Sequence, residues 1–573
     1  MNASPRREGN ERFTQVLTWA RFGQCSCVRC REYRVMLCRC TICSPLLGCL
    51  IWLGISPAHA QADRERIQLI MSNLPSQTSA VYKAIKRLAG KITGQALPLT
   101  KCEMWSVPKE NVEAVKRAAA RHGVTVKRLA EDWNQVLHKA PADMTMNDQQ
   151  KHMMEIAKAA KSTVGIGMMA APFAPMIEYA LTKGATATGR TDPHGSAKIT
   201  VALSEKTVLT ITRTRVDIKP DMCIWHGRVE GTDLPATIMW WPGGKMTGSV
   251  QHEGRIYSIR HMGGETYAVV EMGEDRMPQE HAPVPERMRT NDPNLRDDPL
   301  WHEGDATRMG PVRQGMRTPT KGRLPAQEEK KLGPAISKAK PAKTKNDESA
   351  PKPADVVIDV IVAYTKKAAA NYSDVKRELV DLSIEEANES FRLSGVGQVK
   401  LRLVHAYQTD YVEEGEHFDH VWRFADKGDG YMDEIHPLRD KYRADVAVLI
   451  VDDPKGCGLA TRVYADADEA FAVVHHECAV ASYSLAHEIG HLIGARHDLN
   501  IDTNMTPFPY GHGYVSGTKW RDIMSYRESC GGCPRLPIWS SPRVTVRGEV
   551  AGTPDLDNAR VIAEQAARVA AFR

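Results

Sequence analysis

The stretch 484–498, Ser-Leu-Ala-His-Glu-Ile-Gly-His-Leu-Ile-Gly-Ala-Arg-His-Asp, constrains this chain more than any other part of its sequence. His487 and His491 are four residues apart, so on a helix they lie one above the other, with Cβ atoms roughly 5–6 Å apart. Two imidazoles on one helical face can bind one small cation such as Zn2+. Glu488 follows the first histidine and is placed to take a proton from a water bound to the same metal.

A third ligand is predicted just beyond this helix. Gly494 comes three residues after His491 and can end the helix, because glycine tolerates positive φ. The resulting turn would bring His497 back towards the metal. Three protein ligands leave a fourth position for water, which is typical of a catalytic zinc site. The alternative is an ordinary amphipathic helix with two surface histidines, and the spacing of Gly494 and His497 makes it the poorer interpretation.

A methionine further along the chain extends the pattern. Met524 lies in the sequence Arg-Asp-Ile-Met-Ser-Tyr, and together these residues resemble the metzincin metalloproteases, whose signature is H-E-x-x-H-x-x-G-x-x-H followed by a Met-turn. Asp498, directly after the third histidine, is most similar to the reprolysin (adamalysin) branch. The resemblance covers residues 355–573. It implies a zinc endopeptidase with Glu488 as general base and Met524 under the metal site.

The same region has the pattern of an α/β domain. Apolar runs predict strands at 356–364, 399–407, 444–451 and 470–476, with helices at 375–393 and 433–442 between them. Strands that alternate with helices predict a mixed, mostly parallel sheet. We therefore expect an α/β (α+β) metzincin-like catalytic domain. The resemblance implies that the 470–476 strand, predicted at the sheet edge, lines the cleft and binds an extended peptide.

Three features of this domain have competing interpretations. Tyr526 matches a tyrosine that some metzincin families use at the metal, so a transition-state donor and a packing residue both stay open. The acidic segment 426–433 is a candidate calcium loop, but its spacing differs from the EF-hand and a helix-capping turn is favoured. Adjacent strand residues point to opposite faces, so at most one of His475 and His476 is expected to face substrate.

Residues 1–60 are predicted to be a signal peptide with an over-extended leader. Residues 46–55 form a short apolar core, and a small-residue cleavage site ends at Ala60. The apolar core is shorter than the roughly 20 residues needed to span a bilayer. Met1 and Met36 are both candidate starts. These features predict a secreted or periplasmic protein without stable membrane insertion.

Cysteine usage agrees with export. The cysteines after residue 60 are even in number, which favours disulfides in an exported chain. Cys457 and Cys478 flank the segment before the zinc helix and would brace the cleft floor if paired. Cys530 and Cys533 follow the Met-turn, where a bracing bridge is favoured over a redox-active pair. Spacing alone leaves the connectivity open.

The other two of these cysteines lie outside the catalytic region. Cys102 and Cys223 could form a disulfide or remain buried thiols. Cys223 is also a candidate for a latency switch, in which a thiolate takes the open position on zinc. The residues around it lack the flanking pattern of reprolysin-like switches, so this interpretation is disfavoured.

Three segments are predicted between the leader and the catalytic domain. Residues 61–190 are mostly helical with a strand–helix–strand unit, and helices are expected at 65–74 and 81–88. Residues 191–277 are β-rich, with period-two alternation. Residues 278–354 are poor in large apolar groups and predict a disordered linker. The β-rich segment is similar to the pro-regions that precede exported bacterial proteases, which implies a latent precursor.

The net charge of the chain does not favour any particular class of binding partner. A net charge of +6 over 573 residues gives no strong case for nucleic acid or membrane partners. Residues 117–129 resemble a helix-turn-helix reader, which is the nucleic-acid-binding alternative. A catalytically inactive binding protein on a protease fold is the other alternative. Because every catalytic position is present, we favour a monomeric zinc endopeptidase that acts on proteins or peptides.

Overall fold

The computed structural model of this protein describes residues 65–185, 197–232, 234–280, 354–415 and 417–573. The predicted signal peptide and most of the predicted linker lie outside the described residues. Among the residues described, no helix combines the length and the apolar content that a membrane span requires.

A small α/β unit comes first. Its sheet has the order β2-β3-β1-β4, and two helices pack on it. The elements are β1 (Arg66–Ser72), α1 (Ala80–Ala89), β2 (Thr93–Leu97), β3 (Cys102–Pro108), α2 (Val112–Ala120) and β4 (Thr125–Arg128). The helix predicted at 81–88 is therefore confirmed as α1.

Two predictions for this unit are wrong. The segment predicted as a helix at 65–74 contains strand β1 (Arg66–Ser72) instead. Ile67, Leu69 and Met71 are buried at period two, and pairing of β1 with β3 and β4 decides between the two periods. The candidate helix-turn-helix at 117–129 is not formed, because α2 is followed by strand β4 rather than a second helix.

A closed barrel of nine strands follows, in the order β10-β11-β12-β13-β6-β5-β7-β8-β9. Its strands are β5 (Gln135–Lys139), β6 (Thr163–Ala170), β7 (Lys198–Ala202), β8 (Val208–Ile218), β9 (Cys223–Val229), β10 (Pro235–Trp241), β11 (Lys245–His252), β12 (Arg255–Gly263) and β13 (Thr266–Met272). Helices α3 (Asp148–Ala159) and α4 (Ala174–Thr182) lie between strands β5 and β7 along the chain. The barrel thus takes strands from both sides of residue 191.

The C-terminal unit is a mixed α/β structure, as expected. Its main sheet has the order β15-β14-β16-β18-β17, in which the first four strands are parallel and β17 is antiparallel. The main sheet contains β14 (Val356–Thr365), β15 (Val399–Thr409), β16 (Val446–Val451), β17 (Gly458–Ala460) and β18 (Phe471–His475). Two small two-stranded sheets are formed by β19 (Val515–Ser516) with β20 (Trp520–Arg521) and by β21 (Ser541–Val546) with β22 (Glu549–Ala551). The predicted edge position of the 470–476 strand is wrong, because β17 lies outside it.

Helices cover both faces of this sheet. They are α5 (Lys366–Ala369), α6 (Leu382–Leu393), α7 (His417–Ala425), α8 (Ile435–Tyr442), α9 (His476–Ala481), α10 (Ser484–Ile493) and α11 (Asn558–Val569). A π-helical segment, Lys376–Asp381, leads into α6. Ahead of α8, the Asp433 carboxylate accepts hydrogen bonds from the backbone N–H groups of Gly428 and Gly430. The segment is therefore a turn, but it does not cap α8, whose N-cap residue Glu434 makes no side-chain hydrogen bond to the helix.

Buried carboxylates connect the C-terminal unit to the barrel. The Glu386 carboxylate on α6 accepts a hydrogen bond from the Ser249 hydroxyl. The Glu378 carboxylate, in the π-helical segment, accepts from the backbone N–H of His261 at 3.3 Å. Burial raises the pKa of both glutamates to about 7. Both groups therefore favour the protonated state when the barrel is in place.

This arrangement predicts that Glu378 and Glu386 each destabilise the full chain at neutral pH but not at acidic pH. The folded pKa of about 7 lies above the ordinary 4.5, so the destabilisation is absent below pH 4.5 and complete above pH 7. It amounts to roughly 3 kcal/mol per group. Thermal unfolding across this range should show the midpoint of Glu386→Gln rising relative to the wild-type midpoint as pH rises, because glutamine does not ionise. An unchanged slope in the variant would contradict the assignment.

Candidate active site

Helix α10 carries the centre of the site, and close packing fixes its position. All ten of its residues are buried. A Cβ at Gly490 would lie 2.4 Å from the Trp539 ring and 3.4 Å from the Met524 sulfur, so only glycine allows these side chains to pack there. Met524 is fully buried, directly against the helix that carries the histidines. The helix ends at Gly494, whose φ of +133° favours glycine.

The three predicted histidine ligands meet at one point. The Nε2 atoms of His487 and His491 are 3.1 Å apart, and the Nε2 of His497 lies 3.1 Å from the first and 2.9 Å from the second. All three side chains are buried. The turn after Gly494 thus brings His497 back to the helix, as its spacing indicates.

Hydrogen bonds on the far side of two rings determine which nitrogen is free. His487 Nδ1 lies 2.9 Å from the carbonyl oxygen of Ile523, and His491 Nδ1 lies 2.9 Å from that of Ala495. A carbonyl oxygen only accepts, so each Nδ1 carries the proton and each Nε2 keeps its lone pair. Burial lowers the pKa of His491 to about 4, and that of His487 well below its usual value. Both imidazoles are therefore neutral.

This donor set fits a tetrahedral metal ion. Lone pairs on neighbouring nitrogens repel one another unless a proton or a cation lies between them, and here the protons are on the other side of two rings. Ligand nitrogens about 2.0–2.1 Å from a tetrahedral zinc are about 3.3–3.4 Å apart, close to the separations of 2.9–3.1 Å found here. In the described residues, the three histidines form a group that could hold a metal.

Glu488 lies beside this group on the same helix and touches the edge strand β17. A Cβ at Gly458 would lie 2.3 Å from Glu488 Oε1, so the glycine makes room for the carboxylate. Burial raises the pKa of Glu488 well above its usual range, and the nearby carboxylate of Glu280 raises it further, while Arg535 lowers it. A carboxylate with a raised pKa is suited to accept and return a proton.

The contact with Gly458 gives a test of this placement. In Gly458→Ala the new methyl group would displace the Glu488 carboxylate, and a shift of about 1 Å can cost about 100-fold in rate. We expect kcat to fall by about 10- to 100-fold while the bound metal, measured by mass spectrometry, stays unchanged. Leu459→Val alters the opposite face of the same strand and serves as the control. An equal fall of kcat in both variants would contradict the prediction.

The predicted Met-turn residues pack around His497. Asp498 accepts a hydrogen bond from the backbone N–H of Tyr526 at 3.0 Å, which ties the end of the histidine segment to the Met-turn. The rings of Tyr526 and His497 lie 4.5 Å apart. The Tyr526 hydroxyl is buried and has no hydrogen-bond partner among the described residues. A transition-state donor and a packing residue therefore both remain open for Tyr526.

His475 and His476 are not successive residues of one strand, so the alternation from which the prediction for them was made is wrong. That at most one of them faces substrate stays a prediction. Strand β18 ends at His475 and helix α9 begins at His476, which places both rings beside Asp452, at 3.7 and 3.6 Å. His475 Nδ1 accepts a hydrogen bond from the backbone N–H of Glu477, so its Nε2 carries the proton and points to Asp452 as a donor. This second cluster therefore holds two imidazoles and one carboxylate at ion-pair distance, and the proton on His475 Nε2 leaves that nitrogen without a lone pair for a metal.

The cysteines of the described residues form two disulfides, Cys457–Cys478 and Cys530–Cys533. Cys102 and Cys223 are buried free thiols, so the candidate bridge between them is not formed. Burial raises the pKa of the Cys223 thiol, whose charged neighbours Glu178, Arg213 and Asp217 belong to the barrel and its helix α4. Cys223 therefore does not lie at the histidines, and the switch interpretation is wrong.

Two buried arginines beside the site were not predicted. Arg521, in strand β20, and Arg535 are 1% and 3% exposed. Both lower the pKa of His487, which shows their nearness to the histidines. Arg535 forms an ion pair with the Glu280 carboxylate, and Arg521 forms one with Glu274. The sequence feature that could have identified them is their position, because Arg521 precedes the Met-turn and Arg535 follows the Cys530–Cys533 bridge.

Comparisons with known proteins identify the relatives of this chain. The family model of the M12 metallopeptidases, a reprolysin model, matches residues 354–540. A peptidyl-Asp metalloendopeptidase of Xanthomonas campestris pv. campestris is 33% identical over 380 residues, covering 64% of this chain and 79% of that protein. A protein of the same name from Stenotrophomonas maltophilia is 33% identical over 381 residues, covering 63% and 80%. The one from Pseudomonas fragi is 33% identical over 192 residues, its entire length.

Proposed function

This chain belongs to the M12 family of metallopeptidases and is a metalloendopeptidase, and we propose that it works with one zinc ion and with Glu488 as general base. The observation that carries the proposal is the convergence of three Nε2 atoms within 2.9–3.1 Å, beside a buried carboxylate on the same helix. His487, His491 and His497 would hold the ion.

The chain's own residues account for the proton transfers. Zinc, when bound, polarises the scissile carbonyl and acidifies water. Glu488 takes the proton of the attacking water and then passes it to the nitrogen of the leaving amine, so one buried carboxylate serves both halves of the hydrolysis. Its raised pKa suits it to hold that proton between the two transfers. The carbon–nitrogen bond breaks as the amine is protonated.

The proposal extends to the substrate and to the N-terminal part of the chain. Two relatives that this chain matches over 79% and 80% of their length are named peptidyl-Asp metalloendopeptidases. We therefore propose that this chain cleaves proteins and peptides next to an acidic residue. Residues 61–190 and 191–277 would be a pro-region, joined to the catalytic domain 355–573 by the linker 278–354. The side chains of His487, Glu488, His491 and His497 are all buried in the full chain, which supports a latent precursor. The signal peptide 1–60 would direct the export of this precursor.

A protein digest tests the proposed activity. The chain is incubated with casein, with zinc and with a chelator, and the cut sites are mapped by mass spectrometry. Cleavage that the chelator abolishes and zinc restores is expected, with acidic residues enriched at the cuts. Stoichiometric zinc without any cleavage, even after processing of the linker, would instead favour the inactive binding protein.

A further inference from the structure

We propose that Arg521 and Arg535 form the pocket that binds the acidic side chain of the substrate, and that Glu280 fills this pocket in the unprocessed chain. The inference rests on the proposed endopeptidase function and deepens it.

The pocket is built from main-chain oxygens that hold both guanidinium groups in place. Arg535 donates to the carbonyl oxygens of Ser482 and Ser525, both at 2.9 Å. Arg521 donates to the Ser525 carbonyl at 3.1 Å and to the carbonyl of Cys533. Neutral carbonyls orient these cations without neutralising them, so each still needs a buried carboxylate.

The carboxylates that neutralise the pair come from the N-terminal side of the linker. Within the described ranges, the acidic groups within 4.0 Å of the two guanidiniums belong to Glu274 and Glu280. Neither glutamate lies in the C-terminal unit. If the chain is cut after residue 280 and the barrel leaves, two buried positive charges lose their partners together. A pocket of this charge would then select a negatively charged side chain.

Glu280 reaches the pocket in the manner of a bound peptide. The backbone N–H of Cys457 donates to the carbonyl oxygen of Gln279 at 3.0 Å. Cys457 directly precedes strand β17, the sheet edge whose Gly458 touches Glu488. Main-chain pairing at this edge, with a side chain entering a pocket, is how extended peptides bind to exposed strands. The segment ending at Glu280 therefore lies where a substrate would.

Glu280 occupies the pocket imperfectly, which allows a substrate to replace it. Its Oε1 forms an ion pair with Arg535 but stays 3.8 Å from Arg521. Its Oε2 is buried and accepts no hydrogen bond from the described residues. Burial raises the pKa of this carboxyl, against the lowering by the two arginines. A carboxylate that contacted both guanidiniums would bind more tightly than this one.

The test uses the full-length, zinc-loaded chain and two fluorogenic peptides that differ only in Asp against Asn at one position. After processing of the linker, the wild-type chain should cleave the Asp peptide roughly 100-fold faster than the Asn peptide, because Asn has the same shape but no charge. Glu280→Gln should raise the initial rate on the Asp peptide by about tenfold or more before any processing is detected. Glu280→Asp keeps the charge and should stay near the wild-type rate.

The outcomes separate this inference from the function beneath it. If neither peptide nor casein is cut by the zinc-loaded chain even after processing of the linker, the proposed function fails. If the Asp and Asn peptides are cut equally fast, the enzyme stands and the arginine pocket is refuted. If Asp is preferred but Glu280→Gln is no faster than Glu280→Asp, Glu280 is not the competitor. The comparison of the two peptides uses only the wild-type chain, so it does not depend on the folding of a variant. Thermal unfolding checks that Glu280→Gln and Glu280→Asp are folded.

Discussion

A Glu488→Ala chain is expected to keep one zinc ion and to lose nearly all peptide hydrolysis. General acid–base catalysis contributes about 10²- to 10⁴-fold to a reaction rate. Because one carboxylate serves both proton transfers here, we expect kcat to fall by about 10⁴-fold, the upper end of this range. Metal binding should persist because the three converging Nε2 atoms belong to other residues. Zinc content by mass spectrometry and initial rates on casein, measured on the same preparation, test both halves.

The matched control is Glu477→Gln on the neighbouring helix α9. Glu477 is also buried, and its carboxylate accepts a hydrogen bond from Ser162 at 2.7 Å rather than facing the histidines. This variant should retain zinc and activity after processing. Full activity in Glu488→Ala would refute the role of the base. Loss of zinc in that variant would show that Glu488 supports the metal as well.

The residues of the histidine centre could be predicted because they lie within one short stretch of chain. His487, His491 and His497 are related by helical periodicity and one glycine turn, which are local rules. The recognition pocket could not be predicted in this way. Arg535 meets Glu280 only because the barrel and the C-terminal unit fold against each other, and no local rule links residues so far apart in the chain.

Local rules also failed where two periods compete. Residues 65–74 have apolar spacing that suits both a helix and a strand, and pairing with β3 and β4 selects the strand. His475 and His476 were assigned opposite faces by strand alternation, which no longer holds once β18 ends between them. The edge of the main sheet was misplaced because β17 has only three residues, too few to show a period. Each error came from a boundary that tertiary contacts determine.

The second large effect concerns metal binding, because the part of the chain that the structure describes has two clusters that contain histidine. His497→Ala is expected to lower zinc affinity by more than about 100-fold, since loss of an outer partner of a ligand alone costs about 10- to 100-fold. Hydrolysis should fall with it. His476→Ala removes an equally buried imidazole from the cluster with Asp452, where His475 Nε2 is already a donor. That variant should keep one zinc per chain.

Zinc titration of the wild type and both variants, read by mass spectrometry, distinguishes the clusters. One equivalent in the wild type and in His476→Ala, with none in His497→Ala, is the expected pattern. Two equivalents in the wild type would show that the Asp452 cluster also binds metal and that the tautomer assigned to His475 is wrong. If His497→Ala still bound one equivalent of zinc with wild-type affinity, His497 would not be a metal ligand. Thermal unfolding of His497→Ala, compared with the wild type stripped by chelator, separates metal loss from misfolding, because both should then unfold at similar temperatures.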